Sequence, residues 1–478
     1  MFYTFVIFIA VIFKRLIKNS KLMSSPLLNI IILAAGKGTR MRSTLPKVLH
    51  KLAGKSLLQH VIHAAKQLQP SKIIVVYGYG GEAVPDAFRQ EDITWVEQKE
   101  QLGTGHAVQQ ALSYLDAEAR TLILLGDVPL LNIETCQQLL FKTSHLGLLT
   151  VRKSDPTGYG RIVRDTHGNI NAIVEHKDAT EAQRRIDEVN TGIMAVNNAN
   201  LVSWLTNLKN HNAQGEYYLT DIVAMAVADG FAVSSEMTVD ESSVEGVNSK
   251  QDLAGLERVY QLRKATDLMQ AGVTLSDPFR IDVRGELEVG RDVEIDVGCI
   301  FEGRVTLADG VRIGAYCVIK DTDIGAGTTI APFTHTDQVS IAAQCRIGPY
   351  ARLRPGTELA DDTHIGNFVE LKNTQVDIGS KINHLSYVGD TTVGKQVNIG
   401  AGTITCNYDG ANKFRTVIED NAFIGSDTQL IAPVTVGAGS TIGAGSTISK
   451  DTPAGELTLS RSKQVTVNGW KRPVKIKK

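Results

Sequence analysis

Residues 424–448 read IGSDTQ LIAPVT VGAGST IGAGST I, with an aliphatic residue at every sixth position. A period of six is typical of a parallel β-helix, in which each repeat supplies one short strand and one corner. The aliphatic side chain points inward and stacks on its counterparts in neighbouring coils, and residues such as glycine occupy the corners. Three repeats then complete one turn of a triangular prism.

The same period covers most of the second half of the chain. It runs without a break through Val283, Val289, Ile295, Phe301, Leu307, Ile313 and Ile319, and again through Ile341, Ile347, Leu353, Leu359, Ile365 and Leu371. An ordinary β-sandwich would show a period of two and irregular spacing instead. The period fails at residues 403–418 (TITCNYDGANKFRTVI), which predicts a functional loop projecting from the rigid coil.

The first half, residues 27–248, alternates between strand and helix patterns. Apolar, β-branched runs occur at Asn29–Ala35, Lys72–Gly78, Thr121–Asp127 and Leu146–Arg152, with helical patterns at Ser56–Gln69, Gly105–Leu115 and Ile133–His145. Apolar runs without alternation indicate strands covered on both faces, and therefore a mostly parallel sheet in a Rossmann-like α/β domain. Ligands bind such sheets at the carboxyl ends of the strands.

A single helix is predicted to connect these two patterns. It covers residues 249–271, with Ser249 as its cap, Asp252 three residues further on and Gly272 at its end. We therefore expect an α/β domain at residues 23–248, a linker helix at 249–272, and a β-helix domain with a basic C-terminal tail at 273–478.

The first residues fit neither domain. Residues 1–13 (MFYTFVIFIAVIF) are apolar, and Lys14 and Arg15 follow them. A membrane-spanning helix needs about 17–25 apolar residues, and a secretory signal carries its charge before the apolar run. We expect the protein to start at Met23, with residues 1–22 as a non-native extension; a weak membrane anchor is the alternative.

Composition narrows the class of protein. The 50 Lys and Arg residues nearly balance the 51 Asp and Glu residues, which argues against a protein that coats nucleic acid. None of the five cysteines forms a C-x-x-C pair, which argues against a disulfide framework or a zinc ribbon. Reduced thiols in a cytoplasmic protein are the expectation.

A glycine-rich motif follows the first predicted strand. Residues 33–41 read LAAGKGTRM, and Pro46 and Lys47 come shortly after. Glycines let the backbone approach a ligand closely and cradle phosphate with N–H groups, while Arg40 and Lys47 add positive charge for a triphosphate. The motif is neither a Walker A loop, since no Ser or Thr follows Gly36-Lys37, nor a dinucleotide fingerprint, since Met41 replaces the third glycine.

Two more segments of the α/β part place polar residues at strand ends. Asp127 closes a strand in LLGDVP (residues 124–129), where a carboxylate is well placed to hold Mg²⁺; the alternative is an Asp that caps the next helix. Gln98, Gly103 and Thr104 follow another strand and could bind a base or ribose, with a plain helix N-terminus as the alternative.

Polar residues also gather in the β-helix, although such a helix alone does not establish catalysis. They are Arg354, Lys372, His384, Tyr387, Asn398, Asn407 and Tyr408. His384 lies in INHLSY (residues 382–387), where the period is interrupted. A lone histidine is more often structural, but one at an interruption and beside polar neighbours is a candidate general base.

The LAAGxGTRM motif with Pro-Lys is the signature of sugar-1-phosphate nucleotidyltransferases. Joined to a hexapeptide left-handed β-helix, residues 28–478 resemble the bacterial bifunctional GlmU family. The resemblance implies acetylation of glucosamine-1-phosphate by acetyl-CoA, followed by transfer of UMP from UTP to N-acetylglucosamine-1-phosphate with release of pyrophosphate. The product, UDP-N-acetylglucosamine, feeds peptidoglycan and lipopolysaccharide synthesis.

The resemblance also assigns site residues in the α/β domain. Those for the uridine nucleotide are Leu33, Ala34, Ala35, Gly36, Lys47, Gln98, Gly103, Thr104, Gly126 and Asp127. Gly160, Glu175 and Asn190 are assigned to the sugar, and Asp127 and Asn248 to Mg²⁺. Arg40 and Lys47 would neutralise the charge of the reacting phosphates. Leu125 departs from the family, which often has tyrosine there.

In the β-helix, the resemblance makes His384 the general base that takes a proton from the glucosamine amine. Arg354, Lys372, Tyr387 and Asn398 match sugar-phosphate ligands. The acetyl-CoA contacts are Ala401, Asn407, Tyr408, Ser426, Ala444 and Arg461. The family forms homotrimers through the β-helix, with each acetyltransfer site between subunits, and we expect neither nucleic acid nor a membrane as a partner.

Three other interpretations remain open from the sequence. The chain could be a nucleotidyltransferase with one activity, using another nucleotide or hexose, whose β-helix serves only assembly. It could be a non-enzymatic scaffold, although the intact Arg40, Lys47, Asp127, Asn248 and His384 argue against this. It could also be tethered to a membrane through residues 1–22.

Overall fold

The computed structural model describes residues 27–475, so the predictions for residues 1–22 lie outside the described part of the chain. The chain forms two compact units, of which the first ends at Tyr260 and the second begins at Gln261. The division falls inside the helix that the sequence predicts as a linker.

The strands of the first unit appear where the apolar runs predict them, with additional ones between. They are β1 (Leu28–Leu33), β2 (Lys51–Leu52), β3 (Lys55–Ser56), β4 (Lys72–Tyr77), β5 (Thr94–Glu97), β6 (Arg120–Leu125), β7 (Leu146–Arg152), β8 (Arg161–Arg164), β9 (Ile170–Val174), β10 (Glu188–Asn197) and β11 (Val233–Thr238).

The central sheet has the strand order β11-β7-β10-β6-β1-β4-β5, with β8 and β9 attached beside β10. β1 is parallel to β4 and β6, β4 to β5, and β7 to β11. This confirms the predicted mostly parallel sheet. β10 runs antiparallel to β6 and β7. The apolar runs do not predict it, because β10 carries Glu188, Asn190 and Asn197 although it is buried along almost its whole length.

Helices cover both faces of this sheet. They are α1 (Leu57–Gln67), α2 (Ala83–Asp86), α3 (Thr104–Ala111), α4 (Ile133–Lys142), α5 (Glu181–Arg184), α6 (Asn198–Thr206) and α7 (Asp221–Ala228), with 3₁₀ turns at Thr39–Met41, Lys47–Leu49, Leu112–Tyr114 and Glu241–Ser243. Alternate residues of β1 enter different cores: Ile30 and Ile32 pack with α1 and α4, and Ile31 packs with α3, α6 and α7. Burial on both faces explains why β1 is uniformly apolar.

The connecting helix α8 spans Lys250–Gln270 and begins as predicted. The Asp252 N–H donates to Ser249 Oγ at 3.2 Å, and the Ser249 N–H donates to Asp252 Oδ2 at 2.9 Å, which is a reciprocal capping box. Gly272 follows the helix with φ 96°, a left-handed conformation that glycine adopts without strain.

The second unit is a left-handed parallel β-helix with three faces. Strands of the first face are Thr274–Leu275, Glu294–Ile295, Arg312–Ile313, Thr329–Ile330, Arg346–Ile347, His364–Asn367, Lys381–His384, Asn398–Ile399, Phe423–Ile424, Thr441–Ile442 and Leu457–Thr458. Four longer strands, Ile281–Val289, Cys299–Leu307, Val318–Ile324 and His335–Ile341, cross from the second face to the third.

Beyond these crossing strands the second and third faces separate. The second face continues with Arg352–Leu353, Glu370–Lys372, Tyr387–Gly389, Ile404–Cys406, Gln429–Ile431 and Thr447–Ile448. The third face continues with Thr357–Leu359, Gln375–Val376, Thr391–Val393, Thr416–Ile418 and Val434–Val436.

Strand register confirms three repeats per turn. Ile295 pairs with Ile313, 18 residues further on, and Ile330 with Ile347, 17 residues further on. A coil of 17 residues contains one repeat shortened to five. The predicted inward aliphatic residues are buried in one continuous core, including Ile313, Ile347 and Ile442.

The projecting loop is shorter than the sequence predicts. Ile404–Cys406 and Thr416–Ile418 are strands of the coil, so only residues 407–415 project, and a bridge between Tyr408 and Lys413 closes them as a hairpin. The period of six fails before the hairpin begins, because Thr405 takes an inward position normally held by an aliphatic residue. Its hydroxyl accepts from the Gly389 N–H at 2.8 Å, which satisfies the buried oxygen.

Candidate functional site

A cleft of about 410 Å³ opens at the carboxyl ends of β1 and β6 in the first unit. The predicted nucleotide residues that line it are Leu33, Ala34, Ala35, Gly36, Lys47, Gln98, Gly103, Thr104 and Asp127. Gly126 lies next to Asp127, and its N–H donates to Leu33 O at 2.9 Å. The structure therefore brings residues from four separate segments to one edge of the sheet.

Backbone conformation shapes the glycine-rich wall of this cleft. Gly38 has φ 59°, and a Cβ there would lie 2.7 Å from Lys47 Cβ, so a side chain would displace Lys47. Arg40 lies in the 3₁₀ turn that follows; it is exposed and does not line the cleft. The two cations predicted to face the phosphates thus differ in position, with Lys47 in the lining of the cleft and Arg40 outside it.

Lys47 joins the two residues predicted to hold Mg²⁺. Its ammonium group donates to Asp127 Oδ2 in an ion pair and to Asn248 Oδ1 at 3.3 Å. One carboxylate and one amide oxygen therefore converge on a single positive charge. Mg²⁺ prefers oxygen ligands and keeps several waters or substrate phosphates, so this pair of donors fits that ion. Within the described residues, no cluster of three His, Cys, Asp or Glu side chains forms a closed metal site.

The backbone around Asn248 is held from the start of α8. The N–H groups of Asn248 and Ser249 both donate to Asp252 Oδ2 at 2.9 Å. The preceding Val247 N–H donates to Asp127 O at 2.9 Å. The capping box of α8 thus also fixes the two donor residues relative to each other.

Gln98, Gly103 and Thr104 form the opposite wall of the cleft. The Gln98 amide is buried and donates to Gly103 O at 3.1 Å. Gly103 has φ 112°, and a Cβ there would lie 2.6 Å from Tyr217 O. Thr104 begins α3, and its hydroxyl oxygen accepts from the Leu219 N–H at 3.1 Å. The segment therefore begins a helix and also lines the cleft, so the predicted binding of a base or ribose and the helix N-terminus do not exclude each other.

The predicted sugar residues meet beside β8 and β10. The Asn190 N–H donates to Gly160 O at 2.9 Å, and a Cβ at Gly160 would lie 3.4 Å from Glu175 Oε1. The Thr220 hydroxyl donates to Glu175 Oε1 at 3.0 Å. Burial raises the pKa of Glu175, and the nearby carboxylates of Asp221, Asp178 and Glu216 raise it further. The hydrogen bond from Thr220 lowers it but does not reverse the shift.

The cleft also contains residues that the sequence did not single out. Lys37, Gln101 and Glu216 line it, and the Gln101 amide donates to Gln98 O at 3.0 Å. Glu216 comes from a segment more than 100 residues away along the chain from Gln98. Its place in EYYLTD (residues 216–221) was the available signal, but sequence alone does not show that this segment reaches the cleft.

In the second unit, predicted acetyltransfer residues follow one edge of the prism. We call this edge the His384 corner; in successive coils it consists of Asn367, His384, Ala401, Ser426 and Ala444. The backbone connects them, since the N–H groups of Leu385, Gly402, Asp427 and Gly445 donate to the oxygens of Asn367, His384, Ala401 and Ser426, respectively. Consecutive members are therefore one strand spacing apart, about 4.8 Å.

A basic patch lies on the second face beside this corner. Arg354 is paired with Glu370 at 2.7 Å, and Tyr387 is in register with Glu370 on the next coil. The ammonium of Lys413 lies beside Lys372 and, together with burial, lowers the pKa of Lys372. Lys413 belongs to the projecting hairpin and was missed from the sequence, because only the fold brings it to Lys372.

Asp390 ties the hairpin to the coil. It is buried, and it accepts from Asn373 at 2.6 Å and from the Asn407 amide. Burial acts to raise the pKa of Asp390, but these hydrogen bonds and the charges of Lys372 and Lys413 hold it below the ordinary value. One carboxylate against two lysines leaves an excess of positive charge, which favours an anion such as a phosphate.

The remaining predicted residues lie at different places in the second unit. Tyr408 is exposed in the hairpin, and its hydroxyl donates to Gly410 O at 2.6 Å. Arg461 donates to Ala444 O at 2.9 Å and so reaches the His384 corner. Asn398 lies on the first face, in register with Lys381 rather than with His384.

Two family models match the two units. A MobA-like NTP transferase domain matches residues 30–181, and a bacterial transferase hexapeptide of six repeats matches residues 415–450. No helix in the described residues is long and apolar enough to cross a membrane.

Similarity to curated proteins extends over nearly the whole chain. The bifunctional protein GlmU of Methylobacillus flagellatus is 70% identical over 451 residues, which are 94% of this chain and 98% of that protein. Those of Ralstonia nicotianae and Nitrosospira multiformis are 61% and 60% identical over 94% of this chain and 100% and 98% of their own lengths. With this identity across both units, the chain belongs to the family of bifunctional GlmU proteins.

Proposed function

We propose that each unit carries one of two consecutive reactions. The β-helix acetylates glucosamine-1-phosphate with acetyl-CoA, and the α/β unit transfers UMP from UTP to the N-acetylglucosamine-1-phosphate so formed. The enzyme thereby makes UDP-N-acetylglucosamine. The observation that carries this assignment is the cleft of the first unit, which is lined by nine of the ten residues assigned to the nucleotide.

Uridylyl transfer is an in-line displacement at the α-phosphorus of UTP. A phosphate oxygen of the sugar phosphate forms the new P–O bond as the bond to pyrophosphate breaks. That oxygen is already ionised at neutral pH, so no protein base is needed. The task of the protein is to align two anions and to neutralise their repulsion. Lys47, inside the cleft, does this directly, and the exposed Arg40 contributes from the cleft margin.

Asp127 and Asn248 would hold Mg²⁺ in this reaction. Once bound, the ion supplies positive charge to the phosphate oxygens of UTP. The contact of Lys47 with both residues supports this assignment, since the two oxygens face the same positive charge. Lys47 then turns toward the triphosphate, which carries more negative charge than Asp127 alone.

The uridine of the donor and the sugar of the acceptor are bound by different residues. Gln98, Gly103 and Thr104 bind the uridine, and Gly160, Glu175 and Asn190 bind the sugar. The Glu175 carboxylate can accept a hydrogen bond from a sugar hydroxyl, and a glycine at 160 is required because a Cβ there would lie 2.8 Å from Ile173 Cγ2. Leu125 packs against Gly192 at the cleft floor and supplies an apolar contact where the family often has tyrosine.

Acetyl transfer begins with attack of the sugar amine on the thioester carbonyl. His384 takes the amine proton as the N–C bond forms, and the C–S bond then breaks to release CoA. The basic patch of Arg354, Lys372 and Lys413 binds the sugar phosphate, with Tyr387 and Asn398 beside the sugar. Acetyl-CoA lies along Ala401, Ser426 and Ala444, where small side chains leave room at the corner, and it contacts Asn407, Tyr408 and Arg461.

The active form is a homotrimer assembled through the β-helix. Support comes from four aromatic rings, Tyr316, Phe333, Tyr350 and Phe368, stacked 4.9–5.4 Å apart on successive coils. Each is about half exposed, and each has φ near 60°, a conformation that is strained for a bulky residue. A strained, exposed apolar column is typical of a surface that another chain covers.

The enzyme works in the cytoplasm on small molecules, with neither a nucleic acid nor a membrane as partner. The five cysteines support this location, since all are free thiols and four are fully buried. Burial raises the pKa of Cys136 and Cys317 to about 12, so both remain protonated and unreactive.

Two single variants test the division of labour. Asp127→Ala should lower pyrophosphate release from UTP and N-acetylglucosamine-1-phosphate by about 10²–10³-fold, because it removes the carboxylate that would hold Mg²⁺ beside the phosphates. Thiol release from acetyl-CoA should be unchanged. A wild-type protein that releases no thiol would instead make the β-helix an assembly device. Loss of thiol release in Asp127→Ala would contradict separate sites.

A further inference from the structure

The strand that carries His384 is unusually long for its face. His364–Asn367 and Lys381–His384 each have four residues, whereas Arg346–Ile347 before them and Asn398–Ile399 after them have two. The extra length adds one more pair to the ladder, Asn367 opposite His384. Asn367 is therefore fixed beside His384 by backbone pairing and not merely by proximity.

Gly366 makes this extended pairing possible. A Cβ at Gly366 would lie 2.0 Å from Asn383 O and 2.8 Å from Asn383 Cα, so any other residue would push the two coils apart. The close approach holds the residues after Gly366 and Asn383 in register. Those residues are Asn367 and His384.

The side chains of this pair form a short hydrogen bond. Asn367 Oδ1 lies 2.7 Å from His384 Nδ1. An amide oxygen can only accept, so Nδ1 carries the hydrogen of the neutral imidazole, and Nε2 keeps its lone pair. Within the described residues, no protein group forms a hydrogen bond with Nε2. The nitrogen that could accept a substrate proton is thus the one left open.

We propose that Asn367 is a positioning residue for acetyl transfer, which selects the tautomer of His384 with a basic Nε2. The inference rests on the proposed role of His384 as general base. When Nε2 takes the amine proton, the ring becomes positive, and the Asn367 carbonyl dipole stabilises the Nδ1–H end. The N–C bond forms and CoA leaves as described above, so Asn367 exchanges no proton itself.

Other residues of the same corner cannot take this role. The equivalent positions of the three preceding coils are Ala315, Pro332 and Pro349, and that of the following coil is Ala401. None of these side chains has a hydrogen-bond acceptor. Asn367 is thus the one side-chain acceptor among these neighbouring positions, and it lies in the coil directly before that of His384.

The charged surroundings of His384 define the pH dependence. Lys381 lies on its own strand, and His364 faces it from the strand of Asn367. Asn398, from the next strand of the first face, is uncharged, and Tyr387 follows at the start of the second face. Arg346 and Asp362 also act on His364, and Glu370 is in register with Tyr387, so charges of both signs surround the pair. A carboxylate placed at residue 367 would add a negative charge in direct contact with His384 Nδ1.

Two variants of the full chain test the proposal through kcat and the pH profile of thiol release. Asn367→Leu keeps the shape but removes the acceptor, and it should lower kcat by about 10–100-fold with little change in the KM for acetyl-CoA. Asn367→Asp keeps an acceptor and should retain most of kcat. Its negative charge favours the imidazolium, so the acidic limb of kcat/KM should move to higher pH. Pyrophosphate release is the internal control and should be unchanged in both.

The outcomes separate this inference from the proposed function. If His384→Ala retains thiol release, the assignment of the base itself is wrong. If His384→Ala loses it while Asn367→Leu keeps the wild-type kcat and Asn367→Asp keeps the wild-type pH profile, the role of Asn367 alone is overturned. If Asn367→Leu fails to fold, as judged by thermal unfolding of the β-helix, the pH profile of Asn367→Asp decides.

Discussion

At the scale of single residues, the cleft shows why a local motif predicts so much of a site. Leu33 to Gly36 and Lys47 lie within 15 positions of one another, so their spacing alone predicts a phosphate-binding turn, and all of them line the cleft. The motif does not reveal which of its side chains line the cleft: Arg40 lies in the same motif but is exposed and outside the lining. Glu216 reaches the cleft of the first unit, and Lys413 reaches Lys372 in the β-helix, only through the fold of each unit.

Glu175 gives a prediction about stability and pH. Its pKa in the folded protein is raised above the ordinary 4.5, chiefly by burial. The folded state therefore binds the proton more tightly than the unfolded state, and the free energy of unfolding falls as pH rises through that interval. Glu175→Gln has no such penalty and should be more stable than wild type at neutral pH, with the difference vanishing below the ordinary pKa.

Thermal unfolding of both proteins across this pH range measures the effect. Glu175→Asp is the control, because it keeps the ionisable group. Equal stability of Glu175→Gln and wild type at neutral pH would contradict a raised pKa. The same substitution should weaken binding of N-acetylglucosamine-1-phosphate, since the acceptor charge is lost.

At the scale of elements, the regular coil was the easiest part to predict, because each aliphatic residue repeats the same environment. Thr405 shows where this reasoning fails. A hydroxyl can take an inward place when the backbone supplies its partners, here Gly389, so a polar residue does not always end the coil. β10 was also beyond prediction, since it mixes buried polar residues such as Glu188 and Asn190 with apolar ones and so lacks the apolar run that marks the other strands.

The capping box of α8 yields a prediction with a matched pair of variants. Ser249→Ala removes only the cap hydroxyl, and Asp252→Ala removes the carboxylate that holds both Ser249 N–H and Asn248 N–H. Each should destabilise the first unit by about 1 kcal/mol in chemical denaturation.

Only Asp252→Ala should also raise the Mg²⁺ concentration required for half-maximal pyrophosphate release, because it frees the backbone of Asn248. Equal Mg²⁺ requirements of the two variants would show that the carboxylate acts as a helix cap alone.

At the scale of the whole molecule, the aromatic column predicts the assembly surface. Phe333 and Tyr350 are its middle rings and stack 4.9 Å apart. The double variant Phe333→Ser/Tyr350→Ser should convert a trimer to monomers in sedimentation analysis at micromolar concentration. Serine also relieves the strain of a bulky side chain at positive φ, so the monomer should remain folded.

The control is Phe141→Ser, which changes a residue that is 91% exposed in the first unit, outside the column. A double variant that remains trimeric would place the subunit contact elsewhere on the coil.

Two units with separate sites also imply how the intermediate travels. The proposed substrate-binding residues form one set in the first unit and another in the β-helix, so we expect N-acetylglucosamine-1-phosphate to leave one site through solvent and enter the other. Fold class and the two-unit organisation follow from the glycine-rich motif and the period of six, which are independent signals. Both reactions were predicted from the resemblance to a known family. The precise geometry of each site required contacts across distant segments.

The most direct test of two independent active sites mixes two proteins, each of which lacks one of the two activities. His384→Ala and Asp127→Ala are purified separately, and UDP-N-acetylglucosamine is measured from glucosamine-1-phosphate, acetyl-CoA, UTP and Mg²⁺. Each variant alone should form at most about a hundredth of the wild-type product, and the mixture should form it after a lag while the acetylated intermediate accumulates. A mixture that forms no UDP-N-acetylglucosamine, although each variant keeps its remaining activity, would contradict the account.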